Sequence, residues 1–329
     1  MARSGVAAVL VCLALAMQVC ALELIPGGSA IGIEAQTAGI LISEVGEVET
    51  DGGAVTPAKD AGLRAGDLIV AVDGTRVATQ TEFLDALRHS HGKISVTYLR
   101  GGGEKTCSVD PVTGADGTRQ LGLWLRDGVT GVGTMTYYDP ADATFGALGH
   151  GVTDETSGVL LPIAGGTIHS AAISGVTPGE KGEAGALQGA FDVNAPVGAV
   201  HENSVFGIFG TCETAPHGAS VETAADDEIA TGSAIIRSTV SGGTPQEYAV
   251  EIRRVFQENQ CTRLLIQVTD PSLLSQTGGI VQGMSGSPIL QNGKLIGAVT
   301  HVLLEDPTMG YGVSIDTMLA AASAMTPAA

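Results

Sequence analysis

The stretch Gly283-Met284-Ser285-Gly286-Ser287-Pro288 has the form Gly-x-Ser-Gly-x-Pro: a serine on a tight turn, with glycine two residues before it and directly after it. These types suit a nucleophile. A serine that attacks a carbonyl needs donors for the oxyanion, and backbone N–H groups are the usual ones. Gly283 lacks a Cβ and can take dihedrals that aim its N–H into a site, and the Ser285 N–H would be the second donor. Six residues alone fit a plain Gly/Ser-rich surface turn equally well, so the partners must decide. Behind the turn, Ile289-Leu290 and Leu295-Ile296-Gly297-Ala298-Val299 flank Gln291-Asn292-Gly293. That is a hairpin pattern, and a hairpin would hold the turn rigidly.

A serine nucleophile needs a base. The chain offers seven histidines. His89 and His91 close a helical pattern and fit solvated positions. His169, His201 and His217 stand singly in strand or loop contexts, where a structural role suffices. His150 differs: it ends the apolar segment Phe145-Gly146-Ala147-Leu148-Gly149-His150-Gly151 between two glycines, where a strand end can bring it close to another backbone. Together with Ser285 it is the candidate base. His301 follows the hairpin strand in Gly297-Ala298-Val299-Thr300-His301 and is a candidate cleft residue, with a structural role the alternative. For the acid that orients the base, Asp270 follows the apolar run Leu264–Val268 and Thr269, just before Pro271 and fifteen residues before Ser285. Asp154 and Asp192 compete with it, and a turn-forming Asp before Pro is the non-catalytic alternative. No group of His and Cys has zinc-ligand spacing, so neither a metal nor another cofactor is implied.

These residues need elements to position them. The chain has 329 residues, a length that suggests two domains, and carries 47 glycines with few aromatics. Such a composition favours turn-rich β structure. Its formal charge of −19 argues against nucleic acid or an anionic membrane as the main partner. Residues 1–21 have one charged residue, Arg3, an apolar run from Val6 to Met17, and Val19-Cys20-Ala21 as a cleavage-like end. They are expected to be a signal peptide, or an uncleaved anchor. Beyond it remain Cys107, Cys212 and Cys261; a Cys212–Cys261 disulfide and free thiols both stay open.

After an expected linker at 22–30, a first module spans 31–126. Ile40-Leu41-Ile42 and Leu68–Val72 predict buried strands. Thr56-Pro57 opens a short helix, Asp73-Gly74 makes a turn, and Thr79 with Glu82 forms a capping box for a helix burying Phe83 and Leu87. From Gly128 onward, alternating Gly, Thr and Val with frequent turns predict an all-β barrel or sandwich, loop-like between Gly175 and Gly189, with one clear helix from Ile315.

Gly62-Leu63-Arg64-Ala65-Gly66-Asp67 before a strand, with Asp73-Gly74 and Val77 after it, resembles a PDZ domain. The resemblance implies peptide capture by strand addition, with Ile31-Gly32-Ile33 as the expected carboxylate-binding loop. The whole chain resembles the SpoIVB peptidases. The resemblance rests on Phe145–Gly151, Val268-Thr269-Asp270-Pro271, Gly278–Pro288 and Ala298–Val302. It implies a distant chymotrypsin-like double β-barrel over residues 127–329, in which the strand carrying His301 would lie beside substrate. Ser285 would be nucleophile, His150 base, Asp270 the third member, and Gly283 and Ser285 the oxyanion hole. It further implies export to the forespore intermembrane space, cleavage of the extracytoplasmic part of a regulatory membrane protein in sporulation signalling, self-cleavage, and control of substrate choice by the PDZ domain. Two other expectations compete: an inactive binding scaffold, and an HtrA-like quality-control protease, in which the PDZ domain would follow the peptidase rather than precede it.

Overall fold

The computed structural model describes residues 22–154 and 158–324. The expected signal segment, 1–21, lies outside the described residues. Residues 22–30, expected as a linker, instead begin the main sheet: β1 (Glu23–Pro26) pairs Ile25 with Tyr138. The run of buried Leu24, Ile25 and Pro26 explains why it docks rather than spans.

The long strand β2 (Ala30–Val45) shows strict alternation between Glu34 and Ala38, with Ala35 and Thr37 buried and Glu34, Gln36 and Ala38 exposed. It serves two domains. Its second half pairs with β3 (Leu68–Val72), which follows α1 (Pro57–Asp60). Next come α2 (Gln80–His89), β4 (Ile94–Arg100) and β5 (Gly103–Val109), closing the PDZ module around Ile42, Leu63, Ile69, Phe83 and Ile94. The capping box forms as expected, Glu82 N–H donating to Thr79 Oγ1 and Thr79 N–H to the Glu82 carboxylate, each at 3.2 Å. The Asp of the Gly-Leu-Arg-Ala-Gly-Asp motif, Asp67, is buried and takes two 2.6 Å bonds from Arg100.

The chain leaves the PDZ module along β6 (Leu123–Asp139), seventeen residues that run antiparallel to β2 from Leu123 opposite Val45 to Thr134 opposite Ala30. β7 (Thr144–Ala147), β8 (Ile163–Thr177), β9 (Ala186–Ser204) and β10 (Gly207–Cys212) complete the first barrel. Pairings run β6–β7–β10–β9–β8–β2 and back to β6, so six strands close a ring around Ile33, Phe145, Ile168 and Ile208. Loop-like structure between Gly175 and Gly189 is confined to 178–185.

A second closed barrel follows: β11 (Gly232–Ser238), β12 (Gln246–Glu258), β13 (Cys261–Val268), β14 (Pro288–Gln291), β15 (Lys294–Leu303) and β16 (Asp306–Ser314). Helix α3 (Pro271–Thr277) precedes the serine turn, and α4 (Ile315–Ser323) ends the described chain. The hairpin expected behind Ser285 is β14–β15, turned at Asn292 (φ 53°) and Gly293 (φ 81°), as a two-residue type I′ turn requires. Cys107, Cys212 and Cys261 are free thiols. No helix among the described residues is long and apolar enough to cross a membrane.

Candidate active site

The serine turn projects from the second barrel and the histidine from the first, facing each other across a cleft of about 1100 Å³. Ser285, Gly283, His150, Asp154, Thr300 and His301 all line it. The turn is shaped by glycines at Gly283 (φ 95°) and Gly286 (φ 94°). A Cβ on Gly286 would overlap the Thr134 carbonyl, so the two barrels meet backbone to backbone at this point. Met284, fully buried, anchors the turn from beneath. Among the described residues neither the Gly283 nor the Ser285 N–H has a backbone hydrogen-bond partner, while Met284, Gly286 and Ser287 N–H groups all do. Two unengaged N–H groups flanking a serine are what an oxyanion hole consists of.

His150 lies beyond the end of β7, half-buried. Its Nδ1 is 2.9 Å from the Gly151 carbonyl, so Nδ1–H donates there and Nε2 is left as the unprotonated, basic nitrogen. Burial pushes its pKa below the ordinary value, with the Gly151 bond opposing. The His301 ring lies 4.6 Å from it, centroid to centroid. His301 is pushed down to about 4, first by desolvation, then by His150 and Arg263. Both imidazoles are therefore neutral at pH 7, the state a general base requires. The Ser285 hydroxyl donates to the Thr300 carbonyl at 2.6 Å rather than to His150. To hand a proton to His150 the hydroxyl would have to leave that bond. Ser287, by contrast, is fully buried and its hydroxyl donates to Ser238 Oγ at 2.9 Å.

Two expectations are corrected. Asp270 does not hold the imidazole. It is the N-cap of α3, with Oδ1 accepting from Ser272 N–H at 2.9 Å and Leu273 N–H at 3.0 Å. Pro271 at the first helical position makes Asp270 a cap, and a cap oxygen is committed to the helix end. Asp192 binds its own turn through Asn194 and is likewise elsewhere. Asp154 is the one of the three that lines the cleft; it is buried, in the loop just after His150.

Ile31-Gly32-Ile33 is no carboxylate loop. These residues sit mid-strand in β2, paired with Gly133, Val132 and Gly131 of β6 on one side and with Ser170, His169 and Ile168 of β8 on the other. Their backbone groups serve the barrel ladder.

The sequence offered no signal for the Gly151 and Thr300 carbonyls, since main-chain acceptors carry no residue signature. Nor did it single out Asn203. This buried β9 side chain brackets the histidine loop: it accepts from Val152 N–H and donates to the Val152 and Leu161 carbonyls, all within 2.9 Å.

A serine on a glycine-shaped turn beside two unengaged N–H groups, with an imidazole across a cleft between two six-stranded barrels, has the arrangement of a serine peptidase site. A profile of the SpoIVB peptidase S55 family matches residues 117–319, and a PDZ profile matches 31–110. The chain belongs to the SpoIVB peptidase S55 family and carries a PDZ domain. It is 36% identical over 112 residues to a Lactococcus lactis subsp. lactis protein that bears the name of a zinc metalloprotease. That match takes in 32% of this chain and 25% of the relative, so the chain spans about a quarter of that protein's length. Among solved structures, the PDZ domain of an SdrC-like protein from Listeria monocytogenes is 26% identical, covering 27% of this chain and 90% of that one, with a TM-score of 0.23. The Rv3671c protease of Mycobacterium tuberculosis in its inactive form is 15% identical, covering 60% of this chain and 85% of that one, with a TM-score of 0.35.

Proposed function

We propose that this protein is an exported endopeptidase of sporulation signalling. It would cleave the extracytoplasmic part of a regulatory membrane protein and itself near its N-terminus. Ser285 attacks the scissile carbonyl, His150 Nε2 takes the proton and returns it to the leaving amine, and the Gly283 and Ser285 N–H groups hold the oxyanion. The observation that carries the chemistry is the pair of unengaged N–H groups at the serine turn, across the cleft from an imidazole whose tautomer is fixed by Gly151. Family membership supports the biological setting.

Substrate choice falls to the PDZ module. Leu121-Gly122-Leu123, with Gly122 at φ 72°, opens β6, and Leu123–Arg126 has β2 on one side only among the described residues. Its other edge lies beside α2, where Gln80 N–H donates to the Asp127 carboxylate at 3.0 Å. A peptide added at this edge would have Leu121-Gly122-Leu123 as its terminal loop. The active-site cleft reaches the same region, with Ser43, Leu41 and Arg126 on its wall.

The test is mass spectrometry of the purified full chain, wild type beside Ser285→Ala, with and without a fluorophosphonate. Expected are covalent labelling at Ser285 and N-terminal trimming, both absent from Ser285→Ala. Trimming that persists in Ser285→Ala would remove self-cleavage from the proposal, and absence of labelling in the wild type would remove activity in the state purified.

A further inference from the structure

Thr134 sits near the middle of β6, with no solvent exposure. Three hydrogen bonds leave it for the catalytic apparatus. Its N–H donates to the Ser285 carbonyl at 3.0 Å, and its hydroxyl donates to the Gly283 carbonyl at 2.8 Å. Its own carbonyl accepts from Leu148 N–H at 3.2 Å, two residues before His150. One residue of the first barrel thus holds both residues that present the oxyanion donors and the segment that presents the base.

The Gly283 bond carries the most weight. The Gly283 N–H shares its peptide plane with the Gln282 carbonyl, which accepts from Leu187 N–H at 2.8 Å, and a glycine at positive φ has no side chain to fix how the next plane is turned against it. Its carbonyl is held by a side chain rather than by a ladder bond. Oxyanion donors act through orientation: removing one costs about 10²–10³ in turnover, so a misdirected one should cost a substantial part of that.

We propose that Thr134 is a positioning residue of this peptidase, whose hydroxyl fixes the Gly283–Met284 peptide and so the angle at which the Gly283 and Ser285 N–H groups converge on the oxyanion. Thr134 touches no substrate. This rests on Ser285 being the nucleophile. Because β6 begins at the PDZ edge and reaches Thr134 as one strand, with register shifts against β2 between Trp124 and Leu125 and between Arg126 and Gly128, the residue also stands where a displacement of that edge would be felt.

The experiment measures the rate of fluorophosphonate labelling of the full chain across pH, together with a melting curve, for Thr134→Val and Thr134→Ser. Valine keeps the shape and loses the donor; serine keeps the donor and loses the methyl. Thr134→Val is expected to label at least about tenfold more slowly per folded molecule, as loss of an oriented oxyanion donor implies. The pH midpoint set by His150 should not move, and Thr134→Ser should stay within about threefold of wild type, since its hydroxyl can make the same bond. Labelling of Thr134→Val at the wild-type rate, or equal slowing in Thr134→Ser, would overturn the proposal. If Thr134→Val does not fold, Thr134→Cys replaces it, because a thiol is a weak donor of similar size. A wild type that labels while Ser285→Ala does not shows that the nucleophile is sound, so a failure then belongs to Thr134 alone.

Discussion

At His150 the expected aspartate is replaced by a main-chain carbonyl. A Ser-His-Asp site loses about four orders of magnitude when its Asp becomes Asn, because the wrong tautomer is favoured. A helix N-cap tolerates the same change, since Asn and Asp cap almost equally well. Asp270→Asn is therefore expected to keep turnover and melting temperature near wild type. Asp270→Ala should lose about 1 kcal/mol of stability while keeping turnover per folded molecule. Active-site-titrated rates with melting curves check both, and a hundredfold rate loss in Asp270→Asn would restore it to the triad. Asp154→Asn in the same series tests the carboxylate that does line the cleft.

The histidines also set a pH dependence. In the role proposed for it, His150 must be neutral, and its pKa lies below the ordinary value, so labelling should rise through a midpoint under 6.5 and be flat near pH 7–8. His301, depressed to about 4, binds fewer protons in the native than in the unfolded chain between roughly 4 and 6.5. Its contribution to stability is whole above that window and declines as the pH falls through it. Replacing His301 with Gln should flatten the melting temperature across that range, which thermal scans at stepped pH would show.

Among the elements, those with local signatures were legible: the capping box of α2, the Asn-Gly turn of β14–β15, and the apolar Ile40-Leu41-Ile42 segment of β2. What β2 pairs with was not, because a strand buried on one face gives its inward side but not its neighbours. Ile31-Gly32-Ile33 looks like a loop motif in one dimension and is a ladder between β6 and β8 in three. Thr134 carried no signal at all, being one threonine in a Gly/Thr/Val run whose side-chain partner, Gly283, lies 149 positions away along the chain. The same contact makes the serine turn intolerant of a side chain. Gly286→Ala, which sets a Cβ against the Thr134 carbonyl and the Leu148 N–H at a φ of 94°, is expected to destabilise by ~1–3 kcal/mol and slow labelling at least tenfold. Unchanged labelling and melting in that variant would mean the barrels can separate there without consequence.

At the scale of the molecule, the PDZ module is inserted between two strands of the first barrel. Deleting 31–126 would remove most of β2 and open the ring, so that truncation is expected not to fold. Excising 46–122 and joining Val45 to Leu123, which face each other in register, through a short turn should leave a folded barrel that still labels at Ser285. Circular dichroism melting and fluorophosphonate labelling of the two shortened chains would separate these outcomes; a cooperative melt from the first would contradict the shared-strand architecture.

The continuous strands β2 and β6 have a thermodynamic consequence. Neither half of β2 can lose its order without fraying a ladder in the other domain, so the PDZ module and the first barrel should melt in one transition rather than two. Any peptide held by the PDZ edge then stabilises the barrel bearing His150 by mass action, about 2.7 kcal/mol at a hundredfold excess over its dissociation constant. Occupancy of the PDZ module would in this way be registered as protection of the histidine loop from hydrogen exchange, before any bond is cut.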